Sequence, residues 1–255
     1  MPPCQSASNL YRVPRSNAAA GQFQGATFQE THTMNTIASR AEWLDVRQNG
    51  IGGSDAAAIV GLSRWKSNVT LWEEKTGRRK PDDISDEEAV ARGIREEPGI
   101  RALFASMHPE WMVHYREFDL VRNPQEPWRF ATLDGRLYAV DADRRLGYQN
   151  PYGVLEIKSV EPRGRAAWAE WNGRVPSYYL AQALHQMGAT GARFAVLVAF
   201  LHSLDTATGR TGEMREYMFD REDYGEQIEW LAEREREFWR CVEADEEPPT
   251  ILPSI

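Results

Sequence analysis

The sequence predicts a protein of the α/β (α+β) class with one main domain. Segments with helical spacing of apolar residues lie on both sides of a group of short segments that alternate in polarity, as strands do. Residues 193–201 form the most continuously apolar of these segments, which is typical of a strand buried on both faces. A chain of 255 residues is long enough to build one large core around such elements.

The sequence predicts neither a membrane span nor a secretory signal. Its apolar runs fall short of the roughly 18 to 20 residues that cross a bilayer, and its first residues lack a basic region followed by an apolar core. Cys4 and Cys241 are too far apart for a zinc motif or a disulfide framework. We therefore expect a soluble cytoplasmic protein without zinc or an iron–sulfur cluster.

The acidity of the chain is concentrated near its C-terminus. The formal net charge is −8, but residues 212–255 carry fourteen acids against five arginines and so account for −9. Residues 1–211 therefore carry a net charge of +1. Proteins that grip DNA place Lys and Arg against its phosphates. The charge distribution is compatible with a DNA-binding surface in the first part of the chain.

Composition divides the chain into an arm, a domain and a tail. Residues 1–38 are rich in small polar side chains and poor in apolar ones, which predicts a disordered or loosely ordered arm. The domain is predicted at 39–247 and includes an acidic C-terminal helix. Residues 248–255 form a short tail.

A helix at about 39–48 is the first predicted element, because Ser39 and Glu42 form a capping-box pattern. A glycine-rich turn follows and leads into a second helix, with Ser54 or Asp55 as its cap. Such a turn presents free N–H groups that can bind a phosphate. It can equally be a tight turn into a packed helix, and the sequence leaves both interpretations open.

Two further helices are predicted at 69–76 and at about 86–104. The second contains apolar residues at helical spacing, which predict one buried stripe at positions 89, 90, 93, 94, 100, 103 and 104. Glu97 falls on this stripe. Because a carboxylate on an apolar face is unfavourable unless it is paired or binds a cation, Glu97 is a candidate site residue. Pro98 predicts a kink or a fresh start of the helix.

An antiparallel meander is predicted from four alternating segments at 112–121, 128–134, 136–141 and 153–160. In the last segment, alternation places Glu156 and Lys158 on one face and Leu155 and Ile157 on the other. Asp134 ends a neighbouring segment at a glycine turn. The meander would therefore bring Asp134 close to Glu156 and Lys158.

The rest of the chain is predicted to form a helix opened by Pro176, a hairpin of strands at 193–201 and 214–219, and an acidic amphipathic helix at 223–244. Gln182 and Gln186 are four residues apart in the first of these helices. They therefore share one helix face.

Asp134, Glu156 and Lys158 have the composition of a site for metal-assisted phosphodiester hydrolysis. Carboxylates hold hard divalent cations such as Mg2+, which neutralise a phosphate and activate water. A lysine beside them can hold that water or help to deprotonate it. On its own, a Glu-x-Lys pair is weak evidence, because solvated strand faces often carry such pairs.

Five short blocks in a fixed order are far more specific than this pair. They are Trp43 and Arg47 ahead of Gly50-Ile51-Gly52-Gly53-Ser54-Asp55, then Gly93-Ile94-Arg95-Glu96-Glu97-Pro98, Thr132-Leu133-Asp134-Gly135, Leu155-Glu156-Ile157-Lys158 and Tyr179-Leu180-Ala181-Gln182. Through these blocks, residues 40–200 resemble the PD-(D/E)xK nuclease superfamily. Within it, they resemble the phage lambda exonuclease-like (YqaJ) viral recombinase family.

The resemblance implies a central mixed β-sheet flanked by helices, with a restriction-endonuclease-like core. It implies a Mg2+-dependent exonuclease that works 5' to 3' on double-stranded DNA ends and leaves a 3' single strand for phage-type recombination. Mn2+ is the expected substitute for Mg2+.

The resemblance also implies roles for individual residues. Asp134, Glu156, Glu97 and the backbone carbonyl of Ile157 match metal-binding positions, and Lys158 matches the catalytic lysine. Gln182 matches a polar residue that assists at the scissile group.

Three more residues match positions that receive the terminal 5' phosphate. They are Arg47, Ser54 and Thr132, and an arginine with two hydroxyls suits a phosphate monoester.

The implied partners are double-stranded DNA ends, a single-strand annealing protein and two further copies of the chain in a ring-shaped trimer, with no membrane. The implied setting is the cytoplasm of a bacterial host, or a prophage-encoded protein.

Two residues depart from the family pattern. Leu133 replaces the usual proline before the metal-binding aspartate, and Leu184 replaces a second glutamine, with Gln186 nearby. Two alternatives stay open: a DNA-end-binding protein that does not cleave, and an endonuclease of the same superfamily.

Overall fold

A computed structural model describes residue 37 and residues 39–84, 86–140, 153–205 and 209–251. The helices are α1 (Arg40–Gln48), α2 (Gly53–Ile59), α3 (Asn68–Lys75), α4 (Glu88–Met107), α5 (Gly164–Ala169), α6 (Ser177–Thr190) and α7 (Arg221–Ala244). The strands are β1 (Trp111–His114), β2 (Leu120–Arg122), β3 (Phe130–Thr132), β4 (Gly135–Ala139), β5 (Gly153–Val160), β6 (Phe194–Asp205) and β7 (Gly209–Asp220).

The main sheet is mixed, as the resemblance to the nuclease family implies. Its strand order is β1-β4-β5-β6-β7, in which β5 and β6 run parallel and the other neighbours run antiparallel. Helix α6 forms part of the connection between the parallel pair, because parallel neighbours need a long crossover. The predicted α/β (α+β) class with a central mixed sheet flanked by helices is confirmed.

The predicted meander is only partly correct. Residues 112–121 do not form one strand but split into β1 and β2, and β2 pairs with β3 in a separate two-stranded sheet. The break occurs near Phe118, whose φ of 54° is incompatible with an extended strand. The alternation of apolar residues therefore continues through a turn that the pattern does not reveal.

Strand β6 is buried on both faces, as its apolar run predicts. On one face, Ala195 and Leu197 join a core that includes apolar residues of α2, α3, α6 and α7. On the other face, Val196 and Val198 pack with Ile100 of α4. The sheet thus lies between α4 on one side and a layer of helices that includes α6 on the other.

Helix α4 ends three residues later, and is less apolar towards the sheet, than its spacing predicts. It continues through Pro98 as one helix, and Ile100 and Phe104 are buried. In contrast, Ile94 and Leu103 of the predicted stripe are exposed, at 64% and 44%. The prediction fails for Ile94 because the first half of α4 meets the sheet through polar side chains such as Glu96, which accepts a hydrogen bond from Oγ of Ser159 in β5 at 2.7 Å.

Helices α1 and α2 begin with different kinds of N-terminal cap. Ser39 caps α1 and accepts a hydrogen bond from the N–H of Glu42 at 3.2 Å, as predicted. The cap predicted for α2 is wrong, because Gly52 occupies that position. Asp55 reaches back instead and accepts a hydrogen bond from the N–H of Gly52 at 3.1 Å, which leaves the hydroxyl of Ser54 available for other contacts.

The predicted arm lies outside the described residues apart from Ile37, which is buried in a small cluster with Leu120 and Phe130. The predicted tail is described as far as Ile251. Asn68 holds it by donating to the carbonyl of Pro249 at 2.8 Å and accepting from the N–H of Ile251 at 3.0 Å. Among the helices of the described residues, none has the length and apolar character needed to cross a membrane.

Candidate active site

Strand β5 carries two polar side chains towards α6. Glu156 is almost fully buried, at 2% exposure, and its Oε1 lies 2.5 Å from Nζ of Lys158. Leu155 and Ile157 point to the opposite face, where they pack in the core beneath α4. The alternation predicted for this strand therefore holds, and it puts a carboxylate and an ammonium side by side.

Asp134 is attached to β5 through the backbone. It lies just before β4, whose pairing with β5 reaches only as far as Gly135 and Leu155. Beyond that point the N–H of Ile157 has no partner strand on this side, and Oδ2 of Asp134 accepts its hydrogen bond at 2.8 Å. In an extended strand, the N–H and C=O of one residue point to the same side. The carbonyl of Ile157 therefore faces the side on which Asp134 lies.

Two glutamines of α6 hold the carboxylate of Glu156. Gln182 donates from Nε2 to Oε1 at 2.7 Å, and Gln186 donates from Nε2 to Oε2 at 2.5 Å. The family pattern predicts Gln182 but places its second glutamine at Leu184, which is buried in the core. The four-residue spacing of Gln182 and Gln186 was the signal that both could reach one group.

Glu97 reaches the same region from α4. Its carboxylate pairs with Arg101, one helical turn away. Nε of Arg101 also donates to the backbone carbonyl of Asp134 at 2.7 Å, and its guanidinium lies 3.4 Å from the ring centroid of Tyr115. The sequence pattern did not single out Arg101. It links the helix that carries Glu97 to the loop that carries Asp134.

Burial and the closeness of the acids to one another shift the pKa values of this cluster. Burial raises the pKa of Asp134 well above its usual range, and the negative charges of Glu156 and Glu97 add to this effect. Burial also raises the pKa of Glu97, although Arg101 opposes the shift. Burial alone would lower the pKa of Lys158, but the neighbouring Glu156 raises it overall. The charged forms of these acids are therefore unfavourable side by side, and a bound cation would stabilise them.

The oxygens present fit a hard divalent cation better than a softer metal, since they are carboxylates and a backbone carbonyl. Within the described ranges, no three His, Cys, Asp or Glu side chains are grouped closely enough to form a ready metal cage. Asp134, Glu156 and Glu97 each engage a protein donor instead. A bound cation would therefore compete with these hydrogen bonds for the carboxylate oxygens.

A second polar group lies where α1 meets the start of α2. Nη2 of Arg47 donates to Oγ of Ser54 at 2.8 Å, and the guanidinium lies 4.6 Å from the ring centroid of Trp43. The indole N–H of Trp43 donates to Oγ1 of Thr132 at 2.9 Å. The structure thus brings Arg47, Ser54 and Thr132 into one neighbourhood, and Trp43 connects the arginine to the threonine.

A buried ion pair supports this group from behind. Nζ of Lys75 lies 2.8 Å from Oδ2 of Asp55 and 2.6 Å from the carbonyl of Arg47. Burial alone would raise the pKa of Asp55, but Lys75 and then Arg47 lower it overall. The position of Arg47 is therefore fixed by an ammonium that also anchors the second helix.

The two polar groups are joined by the close packing of α2 on α6. A Cβ added at Gly53 would lie 3.1 Å from Cγ of Gln182 and 3.5 Å from Cγ of Gln186. A larger residue at Gly53 would therefore press on the two side chains that hold Glu156. This glycine explains how the Arg47 and Ser54 group can lie next to the acidic cluster.

A comparison of the sequence with models of known protein families identifies the family of this chain. Residues 42–193 match the model of the YqaJ-like viral recombinase domain. The chain belongs to the YqaJ-like viral recombinase family. The match contains every candidate site residue and ends just before β6.

One curated relative is the uncharacterized protein YqaJ of Bacillus subtilis (strain 168). It is 29% identical to this chain over 215 residues, which are 82% of this chain and 58% of the relative. The chain therefore spans somewhat more than half the length of the relative that it matches.

Solved structures with the fold of this YqaJ-like chain include an alkaline exonuclease, LHK-Exo, from Laribacter hongkongensis. The match has a TM-score of 0.56 at 20% identity and covers 80% of this chain and 93% of the other. The same protein in complex with dAMP matches with a TM-score of 0.54 at 19% identity, over the same shares of the two chains. At this identity the likeness concerns the fold.

Proposed function

We propose that this protein is a metal-dependent deoxyribonuclease that degrades DNA from double-stranded ends. The observation that carries the proposal is the position of Asp134, whose carboxylate bonds to the N–H of Ile157, the residue between Glu156 and Lys158. Two acids and a lysine thereby meet at the edge of one strand. Membership of the YqaJ-like viral recombinase family supports DNA as the substrate.

The proposed cofactor is Mg2+, with Mn2+ as a substitute. Asp134, Glu156, Glu97 and the carbonyl of Ile157 would hold it, because hard cations prefer such oxygens. When bound, the cation supplies charge neutralisation at the phosphate and activation of water.

The remaining groups orient the reacting groups or donate hydrogen bonds to them. Lys158 is proposed to hold the attacking water and, as an ammonium, to favour loss of its proton by stabilising the hydroxide that forms. Gln182 and Gln186 keep the carboxylate of Glu156 oriented, since each donates to a different oxygen. Gln182 also assists at the scissile group, because it lies beside the oxygen that Lys158 approaches.

The choice of a DNA end is assigned to Arg47, Ser54 and Thr132. A guanidinium with two hydroxyls offers several donors to a terminal 5' phosphate. The packing of α2 on α6 puts this group next to the acids. A phosphate held there would leave the following phosphodiester at the reactive residues, which supports cleavage in the 5' to 3' direction.

Three further parts of the proposal rest on family membership. The product would be a 3' single strand for a single-strand annealing protein, as in phage recombination. The working form would be a ring-shaped trimer. The protein would act in the bacterial cytoplasm, where host and prophage DNA are found.

The proposal is tested by digesting linear and covalently closed duplexes with the purified protein and Mg2+. End labels and paired substrates with a 5' phosphate or a 5' hydroxyl report the direction and the phosphate requirement. We expect loss of the 5' strand from linear DNA only, faster with the phosphate. Cleavage of closed circles would identify an endonuclease instead. DNA binding without cleavage in Mg2+ or Mn2+ would identify an end-binding protein.

A further inference from the structure

Trp65 is an unusual surface residue. It lies in the loop between α2 and α3 and is 70% exposed, more than any other large apolar side chain in the described ranges. Single exposed apolar residues are common and need no explanation by themselves. The significance of Trp65 therefore depends on what it contacts.

Trp65 is the outer end of a line of aromatic rings that leads to the proposed reactive centre. Its ring lies edge-on to Tyr178, with centroids 5.1 Å apart. Tyr178 contacts Tyr179 at 4.4 Å, and the ring of Tyr179 lies 4.9 Å from Nζ of Lys158. The line therefore connects the solvent-exposed tryptophan to the proposed catalytic lysine through direct contacts.

Tyr178 is held in place from another side. The guanidinium of Arg64 lies 5.0 Å from the centroid of its ring, and Arg64 also pairs with Glu170 beyond α5. Because Arg64 holds Tyr178, the exposed indole of Trp65 has a fixed neighbour.

Trp65 and the proposed phosphate group lie at opposite ends of α2. Ser54 belongs to the first turn of this helix, which is about 10 Å long, and Trp65 lies in the following loop, six residues beyond Ile59. The contact of α2 with Gln182, beside Glu156, is at Gly53, next to Ser54. Tyr179 and Tyr178, which lead past Lys158 to Trp65, come three and four residues before Gln182 in α6. A strand that starts at Ser54 and passes the acids would next reach Trp65.

We propose that Trp65, backed by Tyr178, is a stacking platform for the nucleobase that follows the scissile phosphate. This inference rests on the proposed nuclease function, because it takes the direction of the strand from the phosphate group at Arg47. The ligand is an unpaired base of DNA, and every base has a π-face that can stack on an indole. Such a platform is tolerant of sequence.

The platform would have a specific consequence at a duplex end. For the 5' strand to reach buried acids, its terminal base pairs must open. A base that stacks on Trp65 after opening recovers part of the stacking that it loses in the duplex. The exposed tryptophan therefore favours the opened end.

The test measures binding rather than cleavage. The probe is a 5'-phosphorylated duplex with 2-aminopurine as the second nucleotide of the 5' strand, mixed with the full chain in Ca2+ instead of Mg2+, and checked on a gel to be uncut. Affinity, 2-aminopurine fluorescence and the dependence of affinity on salt are recorded. The proteins are the wild type, Trp65→Ala, Trp65→Phe and the control Met107→Ala, which removes an exposed apolar side chain at the end of α4.

We expect Trp65→Ala to weaken binding by roughly 5- to 150-fold, the range for loss of one stacked base. It should also abolish the quenching of 2-aminopurine, while Trp65→Phe retains most of both. The salt dependence should not change, because an indole neutralises no phosphate. Met107→Ala should behave as the wild type.

Equal affinity and equal quenching in the wild type and Trp65→Ala would overturn the platform. So would a change in oligomeric state of Trp65→Ala in sedimentation, since Trp65 would then be a contact between copies. A parallel digestion in Mg2+ separates this inference from the proposed function. Stacking that depends on Trp65 in a protein that does not cleave would support the platform and contradict the nuclease.

Discussion

Gln186 donates a hydrogen bond to Oε2 of Glu156 at 2.5 Å, while Oε1 of the same carboxylate is occupied by Gln182 and Lys158. Each oxygen of this buried acid therefore has its own donor. At the other end of the Gln186 amide, Oε1 is buried and has no hydrogen-bond partner among the residues that the structure describes. A buried amide with one unpaired end costs stability, which suggests that it is kept for what it does to Glu156.

Replacing Gln186 should therefore affect activity more than folding. In Gln186→Leu, Oε2 of Glu156 loses its donor, and we expect cleavage to slow by about 10- to 100-fold, the usual range when a partner of a metal-binding side chain is removed. Initial rates on linear duplex DNA and circular dichroism check this. Gln125→Leu, on an exposed loop, is the matched control. Unchanged rates in Gln186→Leu would show that Gln182 alone positions Glu156.

The proposed end recognition predicts a substrate-dependent effect of Arg47→Ala. Hydrogen bonds to charged groups contribute about 1.5 to 3 kcal/mol. We expect the preference for a 5' phosphate over a 5' hydroxyl to fall by roughly 10- to 150-fold. Arg40→Ala removes an exposed arginine from the same helix and should keep the preference. The ratio of rates on the two substrates is the measurement, and an unchanged ratio in Arg47→Ala would place the phosphate elsewhere.

Much of the sheet and of the reactive group could be predicted from local patterns. The alternation in β5 fixes the faces of Glu156 and Lys158, and the continuous apolar run of β6 reflects burial on both faces. Both features depend only on neighbours along one strand. Sequence periodicity reports such features well.

Contacts between distant elements were less predictable. The capping of α2 by Gly52 depends on Asp55, which also meets Lys75, twenty residues further along the chain. The exposure of Ile94 depends on which side chains of the sheet face α4, and the spacing of apolar residues along α4 does not contain this information. Arg101 was overlooked because its significance comes from the carbonyl of Asp134, 33 residues away.

A close approach between α6 and a buried arginine predicts a strong steric effect. A Cβ added at Gly188 would lie 2.2 Å from Nη2 of Arg129, which is buried and paired with Glu235 at 2.6 Å. We expect Gly188→Ala to lower the free energy of unfolding by about 1 to 3 kcal/mol. In contrast, a Cβ added at Gly225 in α7 would lie more than 4 Å from the described residues outside its own helix, and Gly225→Ala should raise the free energy of unfolding by about 0.5 to 1 kcal/mol. Urea unfolding of both variants checks the prediction, and equal effects would contradict it.

The same buried cluster predicts a pH dependence of stability. Burial alone would raise the pKa of Glu235, but His185 and then Arg129 lower it overall. A carboxyl whose pKa is lower in the folded state contributes its full stability above its ordinary pKa and loses it as the pH falls through the folded value.

We therefore expect Glu235→Gln to cost about 3 to 5 kcal/mol at pH 7, because it leaves buried positive charge without its partner. The difference from the wild type should persist down to about pH 5 and shrink as the pH falls further. Unfolding free energies across this range measure it. A difference that grows on acidification would contradict the assigned direction of the pKa shift.

Cleavage of linear duplex DNA by the wild type and by Lys158→Ala, measured side by side in Mg2+, tests the proposed reactive centre most directly. We predict that the wild type degrades the DNA and that the variant is slower by about 100- to 10,000-fold, the usual contribution of a group that transfers or holds a proton. Lys80→Ala, which removes an exposed lysine, should match the wild type. Full activity of a folded Lys158→Ala protein would contradict the proposed centre.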